Sequence, residues 1–416
     1  MITWPEYGDS ARTSVVGPAD AARGTATLAL LVGDVPAFLA RHWERQPVVR
    51  SGADPAFAQA LLSIADIDGL LTERAQRLPT ARVVRDGASV PAARFTTSAR
   101  IGSTTVGDLL DPAKLTSEFA AGSTISLQGL HRYWPPLTEF CRSLEAALTH
   151  PVQANAYLSP PGATGLSIHH DTHDVFVLQV EGSKHFDVYE PVTWLPIAGQ
   201  HWTSSEPPCE PAISVDLQPG DCLYMPRGWR HRAYTTDSHS LHLTIGVLGY
   251  TWLSLLTVLA AELADDATFR EALPAGFAHD ADAFAAVVAA RLDALRAWLD
   301  GAKSAELAEA LVRRFVTGQR APTAGLQRTI HPLSIGPETA VRRVPYARCL
   351  LRAVGDCIEA VLADRVVSFP AHATPVLHAI ASTPRFCASE LPDDLDLDSR
   401  LVVVRRLVTE GLLEAG

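Results

Sequence analysis

The stretch from Ser167 to Gln179 limits what this chain can fold into more than any other, because it joins metal-binding side chains to an apolar run. Its residues, Ser-Ile-His-His-Asp-Thr-His-Asp-Val-Phe-Val-Leu-Gln, predict one β-strand that begins polar and ends apolar. Side chains alternate between the faces of a strand, so we expect His169 and Asp171 on the same face. One imidazole and one carboxylate on one face supply two arms of a 2-His-1-carboxylate iron site.

The third arm of such a site has to come from elsewhere, and His231 is the best candidate. It ends the sequence Gly-Asp-Cys-Leu-Tyr-Met-Pro-Arg-Gly-Trp-Arg-His over 220–231, where a Pro-Gly turn precedes a short apolar strand. A Pro-x-Gly bend then directs the histidine back inward. A lone histidine in a β core is more often a structural residue than a ligand. The metal hypothesis therefore depends on His231 occurring together with the His-x-Asp pair.

Three further side chains near this motif could contribute to the site or support it. The chain has only three lysines, and Lys184 follows the Glu-Gly-Ser turn at 181–183. Its ammonium could hold the far carboxylate of a metal-chelating ligand. The alternative is a solvated lysine on an edge strand, which blocks aggregation. His173 has the same parity as His169 and Asp171, so we predict a substrate contact at the cavity mouth. His170 is expected on the opposite face, in a packing or supporting role.

Length and pattern predict three regions. A chain of 416 residues with 47% hydrophobic content can bury a large core. Many short strands at close spacing between 150 and 250 predict a sandwich or barrel of the jelly-roll type. Ala- and Leu-rich helices follow, and the last part mixes a strand with helices. We therefore predict an α+β protein with a β-rich catalytic domain and an N-terminal α/β elaboration over 1–250, a helical region over 251–325 and a winged-helix-like domain over 326–416.

Local patterns add narrower predictions. We expect the first 25 or so residues to be loop-like, and Thr105 to Phe119 to be helical with a break at Asp111-Pro112. We expect a hairpin turn at 181–183, which would place the strand of Lys184 beside the strand that carries His169 and Asp171.

Charge and cysteine usage exclude some classes of protein. The net charge of −11 argues against general nucleic-acid binding and favours a basic partner. No stretch reaches the apolar length of a membrane span, and the N-terminus lacks a signal-peptide pattern. The six cysteines are scattered without a Cys-x-x-Cys, which is typical of a reducing cytoplasm.

The sequence resembles the JmjC-type cupin oxygenases, in particular the ribosomal-oxygenase branch that hydroxylates ribosomal proteins. The residues that carry the resemblance are 155–162, 169–171 with 175–185, 220–231 and 240–245. The resemblance implies a double-stranded β-helix, the jelly-roll or cupin core of the JmjC type. It also implies that the helices of 251–325 form a dimerisation region and that a winged-helix-like domain follows.

Carried over residue by residue, the resemblance implies a complete site. The Fe(II) ligands would be His169, Asp171 and His231. Lys184 would bind the distal carboxylate of 2-oxoglutarate, and the cosubstrate pocket would be lined by Asn155 and Tyr157. The sequence departs from the family at three positions: His170 stands for a tyrosine, His173 for an apolar residue and Gly246 for a serine.

The implied activity is hydroxylation of an amino-acid side chain in a protein or peptide, with Fe(II), 2-oxoglutarate and O2, by a cytoplasmic homodimer. A basic ribosomal protein is one candidate substrate. Two alternatives stay open. The same chemistry could act on a small peptide or metabolite or demethylate a methyl-lysine. The chain could also be a metal-binding cupin that senses a ligand without catalysis.

Overall fold

The computed structural model describes residues 15–204, 210–320 and 334–416. They form two compact units, residues 19–249 and residues 250–416, the second of which includes 15–18. Within the described ranges, no single helix is both long and apolar enough to cross a membrane, although two adjoining helices bent by 70° meet that test together on length and composition. The predicted loop at the N-terminus lies outside the described residues up to position 14.

The unit of residues 19–249 is mostly sheet, with helices before and between the strands. Its helices are α1 (Pro18–Val32), α2 (Val35–Arg41), α3 (Pro55–Leu61), α4 (Ile64–Glu73), α5 (Pro112–Ala120) and α6 (Pro135–Leu148). Its strands are β1 (Val48–Arg50), β2 (Ala81–Arg85), β3 (Ala88–Ser89), β4 (Thr96–Ile101), β5 (Thr104–Leu110), β6 (Thr124–Leu127), β7 (Val152–Ser159), β8 (Ile168–His169), β9 (Asp174–Gly182), β10 (Lys184–Tyr189), β11 (Thr203–Ser204), β12 (Ile213–Leu217), β13 (Cys222–Met225), β14 (Arg230–Tyr234) and β15 (Ser240–Val247).

Two antiparallel sheets form the core of this unit. The larger sheet has the order β1-β13-β9-β15-β7-β6-β2-β3, and the smaller has the order β11-β8-β14-β10-β12. Apolar side chains of both sheets share one buried cluster, which includes Val175, Val177, Phe186 and Val188. The other face of the larger sheet packs against the helices. This arrangement is the predicted cupin-type core with helices added to one side.

The predicted single strand over 167–179 is wrong. The chain forms β8 in the smaller sheet, bends through 170–173 and then forms β9 in the larger sheet. The predicted hairpin at 181–183 is wrong for the same reason, since β9 and β10 belong to different sheets. The strand of Lys184 therefore neighbours β14 and β12, and β14 separates it from β8.

Two other local predictions were wrong. Residues 18–32 form α1, although the opening residues were expected to be a loop. Residues 104–110 form β5, which pairs with β4, whereas a helix was expected. The helix begins only at Pro112, where the Asp111 carboxylate accepts a hydrogen bond from the Lys114 amide and caps the first turn.

The unit of residues 250–416 begins with helices and continues as a mixed fold. Its helices are α7 (Trp252–Leu263), α8 (Ala267–Arg270), α9 (Ala281–Gly301), α10 (Ser304–Thr317), α11 (Thr374–Ser382) and α12 (Leu397–Thr409). Its strands are β16 (Val341–Arg343), β17 (Leu350–Val354), β18 (Cys357–Val361), β19 (Val366–Pro370), β20 (Arg385–Phe386) and β21 (Leu413–Ala415). They form the small sheets β20-β16-β21 and β17-β18-β19.

Candidate metal centre

Three predicted ligands lie together between the two sheets. His169 ends β8, Asp171 stands in the bend that follows, and His231 lies on β14 directly opposite His169. One ligand atom from each residue lies within 4.8 Å of the other two. The Nε2 atom of His231 is 3.9 Å from Oδ2 of Asp171. The three side chains thus converge on a common point.

Both imidazoles are oriented by hydrogen bonds from their second ring nitrogen. Nδ1 of His169 is 2.9 Å from the carbonyl oxygen of Ser167, and Nδ1 of His231 is 3.2 Å from that of Trp229. A carbonyl oxygen only accepts, so each Nδ1 carries the proton and each Nε2 keeps a lone pair for a metal. This arrangement of donors fits a divalent iron site.

The charge states of these groups also suit a metal. Burial alone would raise the pKa of Asp171, but the imidazoles of His231 and His169 outweigh it and lower the pKa overall. Burial, with the neighbouring His169, lowers the pKa of His231 to about 4. At neutral pH the carboxylate is therefore ionised and the imidazole neutral, which are the forms that coordinate a metal.

The Pro-x-Gly bend links the two segments that supply the ligands. The Gly228 amide donates a 3.0 Å hydrogen bond to the carbonyl oxygen of Asp171. The adjacent Arg227 amide donates a 2.8 Å hydrogen bond to Oδ1 of Asp174. These bonds tie the bend of Asp171 to the approach of His231, so neither ligand depends on a free loop.

Gly228 is required in this bend by both conformation and space. Its φ of +91° lies in the left-handed region that favours glycine. A Cβ at this position would lie 2.6 Å from the Thr193 carbonyl oxygen and 2.7 Å from Cδ of Pro196. The loop 190–202 therefore closes directly over the bend.

The candidate pocket beside the ligands is the inward face of β7 and β15, which carries mostly polar side chains. The cross-strand pairs on this face are Gln153–Gly246, Asn155–Thr244, Tyr157–His242 and Ser159–Ser240. The Ser159–Ser240 end is fully buried, whereas Gln153, Asn155 and Thr244 are half-buried. The candidate pocket is thus fully buried at its serine end, and its glutamine end is partly exposed at Gln153.

Lys184 lies at the buried end. Its side chain is buried, and Nζ donates a 2.9 Å hydrogen bond to Oγ of Ser159, which contacts Oγ1 of Thr124 at 2.9 Å. Within the described ranges no carboxylate pairs with it. Burial lowers the pKa of Lys184 to about 7. A buried ammonium held only by hydroxyl groups is poised to receive an anion.

The two other predicted pocket residues lie on the same face. The Tyr157 ring stacks on His242 with centroids 5.1 Å apart, and burial followed by the charge of Asp171 raises the pKa of the phenol. Oδ1 of Asn155 accepts a 2.8 Å hydrogen bond from the Gly129 amide, so this residue also supports the neighbouring loop.

Sequence reasoning missed His242, which is buried beside Lys184. Burial followed by the charge of Lys184 holds the pKa of His242 well below its usual value, so this imidazole is neutral. Its Nδ1 has no hydrogen-bond partner among the described residues. The signal that could have found it is the period-two pattern of polar side chains in β15, which places Ser240, His242 and Thr244 on one face.

The remaining histidines of the motif have different surroundings. His170 is buried and its Nε2 donates a 2.7 Å hydrogen bond to the Gln200 carbonyl oxygen, as expected of a supporting residue. His173 is half-buried, and its Nε2 lies 3.3 Å from the Gln153 amide nitrogen at the partly exposed end of the candidate pocket.

The fold and the site together define the class of this domain. Residues 131–255 match the sequence pattern of the JmjC domain, and all three candidate ligands lie in this range. The chain therefore contains a JmjC domain, as its resemblance to these oxygenases predicted.

The chain is also similar to curated proteins, some of which are named ribosomal oxygenases. The chain is 32% identical to human Ribosomal oxygenase 1 over 250 residues, which are 58% of this chain and 38% of that protein. It is 32% identical over 226 residues to a Drosophila persimilis protein named Bifunctional lysine-specific demethylase and histidyl-hydroxylase NO66, covering 53% of this chain and 31% of that one. The chain thus spans less than half the length of these curated relatives.

A solved structure shares the fold. The ribosomal oxygenase YcfD of Escherichia coli, in complex with cobalt and 2-oxoglutarate, is 19% identical to this chain. The likeness covers 92% of this chain and 98% of YcfD, with a TM-score of 0.51. This likeness confirms the predicted JmjC cupin fold with its mixture of helices and sheets.

Proposed function

We propose that this protein is an Fe(II)- and 2-oxoglutarate-dependent oxygenase that hydroxylates an amino-acid side chain in a protein or peptide. The observation that carries the proposal is a 2-His-1-carboxylate cluster, together with a buried lysine that has no carboxylate partner among the described residues. The names of the relatives and the cobalt and 2-oxoglutarate bound by YcfD support it.

The roles of the protein groups follow from their positions. His169, Asp171 and His231 would hold Fe(II) from one side and leave the side toward the pocket open. Iron bound there supplies, with O2 and 2-oxoglutarate, the oxidising power to hydroxylate an unactivated C–H bond while the cosubstrate leaves as succinate and CO2. The protein fixes the ligands in their neutral or ionised forms, orients both substrates and excludes water from the buried end.

The cosubstrate would lie along the interior face of β7 and β15. Its distal carboxylate would pair with Lys184, which has no acidic partner within 15–204, 210–320 and 334–416. The hydroxyl groups of Ser159 and Thr124, which already contact each other, can donate to the same carboxylate. Tyr157 stacks on the neutral His242, and the two feel the charges of Asp171 and Lys184 respectively, so their hydrogen-bonding groups can orient the rest of the molecule.

A basic ribosomal protein is the substrate we propose, since the relatives are named ribosomal oxygenases and the net charge of −11 favours a basic partner. We place the protein in the cytoplasm. The described cysteines are all free, in keeping with a reducing compartment.

We also propose that the helical region pairs with a second copy of the chain. On α7, Trp252 is 76% exposed and Leu256 is 57% exposed, and α9 exposes Val288 and Leu292. An apolar surface of this kind is unusual on a helix that faces only water. The division into 1–250, 251–325 and 326–416, with a winged-helix-like last part, stays a prediction.

Sedimentation analysis tests the homodimer. The double variant Trp252→Glu/Leu256→Glu should sediment as a monomer, because each charge would be buried in the shared face. Val366→Glu, at a valine on β19 whose exposure is close to that of Leu256, is the control and should leave a dimer. A monomeric wild type, or a dimer in both variants, contradicts this proposal.

Turnover tests the activity. The protein with Fe(II), 2-oxoglutarate and acid-extracted ribosomal proteins should form succinate, and mass spectrometry should find a protein that gains one oxygen atom. Asp171→Ala should form none, whereas Asp237→Ala, at an exposed carboxylate, should react as the wild type does. Iron-loaded wild type that forms no succinate would favour the sensor alternative. Succinate with no oxidised ribosomal protein would contradict the proposed substrate alone.

A further inference from the structure

Glu44 lies in the turn between α2 and β1, and its backbone is strained. Its φ of +52° falls in the left-handed region, which residues other than glycine rarely adopt. The Glu44 amide donates a 2.9 Å hydrogen bond to Oη of Tyr224 on β13. Tyr224 is fully buried and packs edge-on against Phe38 of α2, with ring centroids 4.8 Å apart. The core of the larger sheet therefore holds the strained turn in place.

The side chain of Glu44 binds the Pro-x-Gly bend. Oε1 of Glu44 accepts hydrogen bonds from Nε of Arg227 at 3.1 Å and from Nη2 of the same guanidinium at 2.7 Å. The Arg227 side chain is only 11% exposed, so water screens this ion pair less than a pair on the open surface. Nη1 of Arg227 lies 3.4 Å from the carbonyl oxygen of Pro196. The guanidinium thus joins the turn after α2, the bend and the loop 190–202.

The bend connects this attachment to two of the candidate ligands. The amide of Gly228, next to Arg227, donates its 3.0 Å hydrogen bond to the Asp171 carbonyl oxygen. One residue further on, the Trp229 carbonyl oxygen accepts the hydrogen bond from Nδ1 of His231. Groups that orient metal ligands in this way influence how tightly the metal is bound. The positions of both ligands therefore depend on the position of the bend.

We propose that Glu44 is a positioning residue of the metal centre, which fixes Asp171 and His231 through Arg227. The inference rests on the proposed function, since it takes the cluster to hold a metal ion. Residues 131–255 match the JmjC domain and contain all three candidate ligands, whereas Glu44 lies outside this range. Backbone strain collects at functional sites, where the surrounding structure has to maintain it. The N-terminal elaboration is thus part of the metal site, although it supplies no ligand.

Metal binding without turnover tests this role. Fe(II) affinity is measured in a chelator competition without O2, and Co(II) is bound as a probe, because its visible absorption depends on ligand geometry. Glu44→Ala should lower Fe(II) affinity about tenfold and shift the Co(II) bands. Glu44→Gln keeps an oxygen that can accept from Arg227, so it should retain most of the affinity. Ser143→Ala, which removes a buried hydrogen bond to Thr27 between α1 and α6, is the control and should change neither quantity.

Glu44→Gly separates positioning from stability. Glycine adopts a positive φ without strain, so this variant should lose less free energy of unfolding in urea than Glu44→Ala does. Both variants lack the carboxylate and should lower Fe(II) affinity to the same extent. An Fe(II) affinity that follows the stability of the variants, or a Glu44→Ala variant that binds both metals as wild type does, overturns the inference.

A double-variant cycle tests the route through Arg227. Glu44→Ala/Arg227→Ala should bind Fe(II) as Arg227→Ala does, because Glu44 acts only through the guanidinium. Additive losses of affinity overturn the inference. Failure of the proposed function looks different, because wild type would then bind neither Fe(II) nor Co(II) at the cluster. That result would overturn both proposals, whereas failure of this inference alone leaves wild type able to bind both metals.

Discussion

The buried ammonium of Lys184 predicts that 2-oxoglutarate binding takes up a proton. Burial lowers the pKa of Lys184 to about 7 in the free protein. At pH 8 only about one tenth of these side chains carry a proton. A bound carboxylate stabilises the charged form and raises the pKa, so binding at pH 8 should take up about 0.9 proton per 2-oxoglutarate, against about 0.1 at pH 6.

The affinity for 2-oxoglutarate should fall as the pH rises, because binding requires the charged form of Lys184. The charged form that binds is fully present below pH 7 and is lost as the pH rises through the pKa of the free protein. The dissociation constant should therefore be nearly constant below pH 7 and rise about tenfold for each further pH unit, until the pKa of the bound form is reached. A tenfold change corresponds to about 1.4 kcal/mol.

Calorimetry measures both quantities. Metal-loaded protein is titrated with 2-oxoglutarate without O2, in two buffers with different heats of ionisation, at pH 6 and pH 8. Lys184→Met, which has a similar length but no charge, should bind weakly and show no uptake that depends on this group. Equal heats in both buffers at pH 8 for wild type would show that Lys184 is already charged in the free protein and would refute the reasoning.

Three other variants test the architecture of the site. Gly228→Ala should lower the free energy of unfolding in urea by about 2–4 kcal/mol, and by more than Gly52→Ala, which shares a positive φ but has open space around it; equal losses would contradict the crowding at Gly228. Burial raises the pKa of Asp174 to about 7, so folding binds a proton and the free energy of unfolding should fall as pH rises from about 4 to 7. Asp174→Asn keeps the acceptor for the Arg227 amide and should remove up to about 4 kcal/mol of this fall, whereas a pH profile like that of wild type would contradict the assignment. Asp171→Ala should lower Fe(II) affinity about a hundredfold or more in a chelator competition while the circular dichroism stays unchanged; unaltered affinity would exclude this carboxylate as a ligand.

The three candidate ligands lie together, although the single strand that was predicted to align two of them is wrong. Alternation along one strand was expected to align His169 with Asp171, but the strand ends at His169. The bend through 170–173 depends on a change of sheet and on the hydrogen bond from Gly228, which is distant in sequence. The spacing of the residues in the sequence identifies the three candidate ligands. The contacts that bring them together join segments that are far apart in the sequence, so no local pattern predicts them.

The errors elsewhere have similar causes. α1 contains Gly24, which weakens a helical pattern, but a Cβ there would lie 2.6 Å from the Ser143 carbonyl oxygen. The glycine thus serves a close approach to α6 that the sequence does not show. In β5, Thr104, Thr105 and Val106 are β-branched residues that favour a strand, and the predicted helix underestimated this preference. His242 could have been found from alternation, because the polar residues Ser240, His242 and Thr244 alternate with apolar residues along this strand.

The central claim is that Fe(II) and 2-oxoglutarate bind together at this cluster, and anaerobic titration tests it most directly. Purified protein with Fe(II) should develop a weak visible metal-to-ligand charge-transfer band as 2-oxoglutarate is added. The band should be lost in His231→Ala and kept in His201→Ala, at an exposed histidine outside the cluster. Absence of the band from wild type that demonstrably holds iron, or its persistence in His231→Ala, would contradict the account.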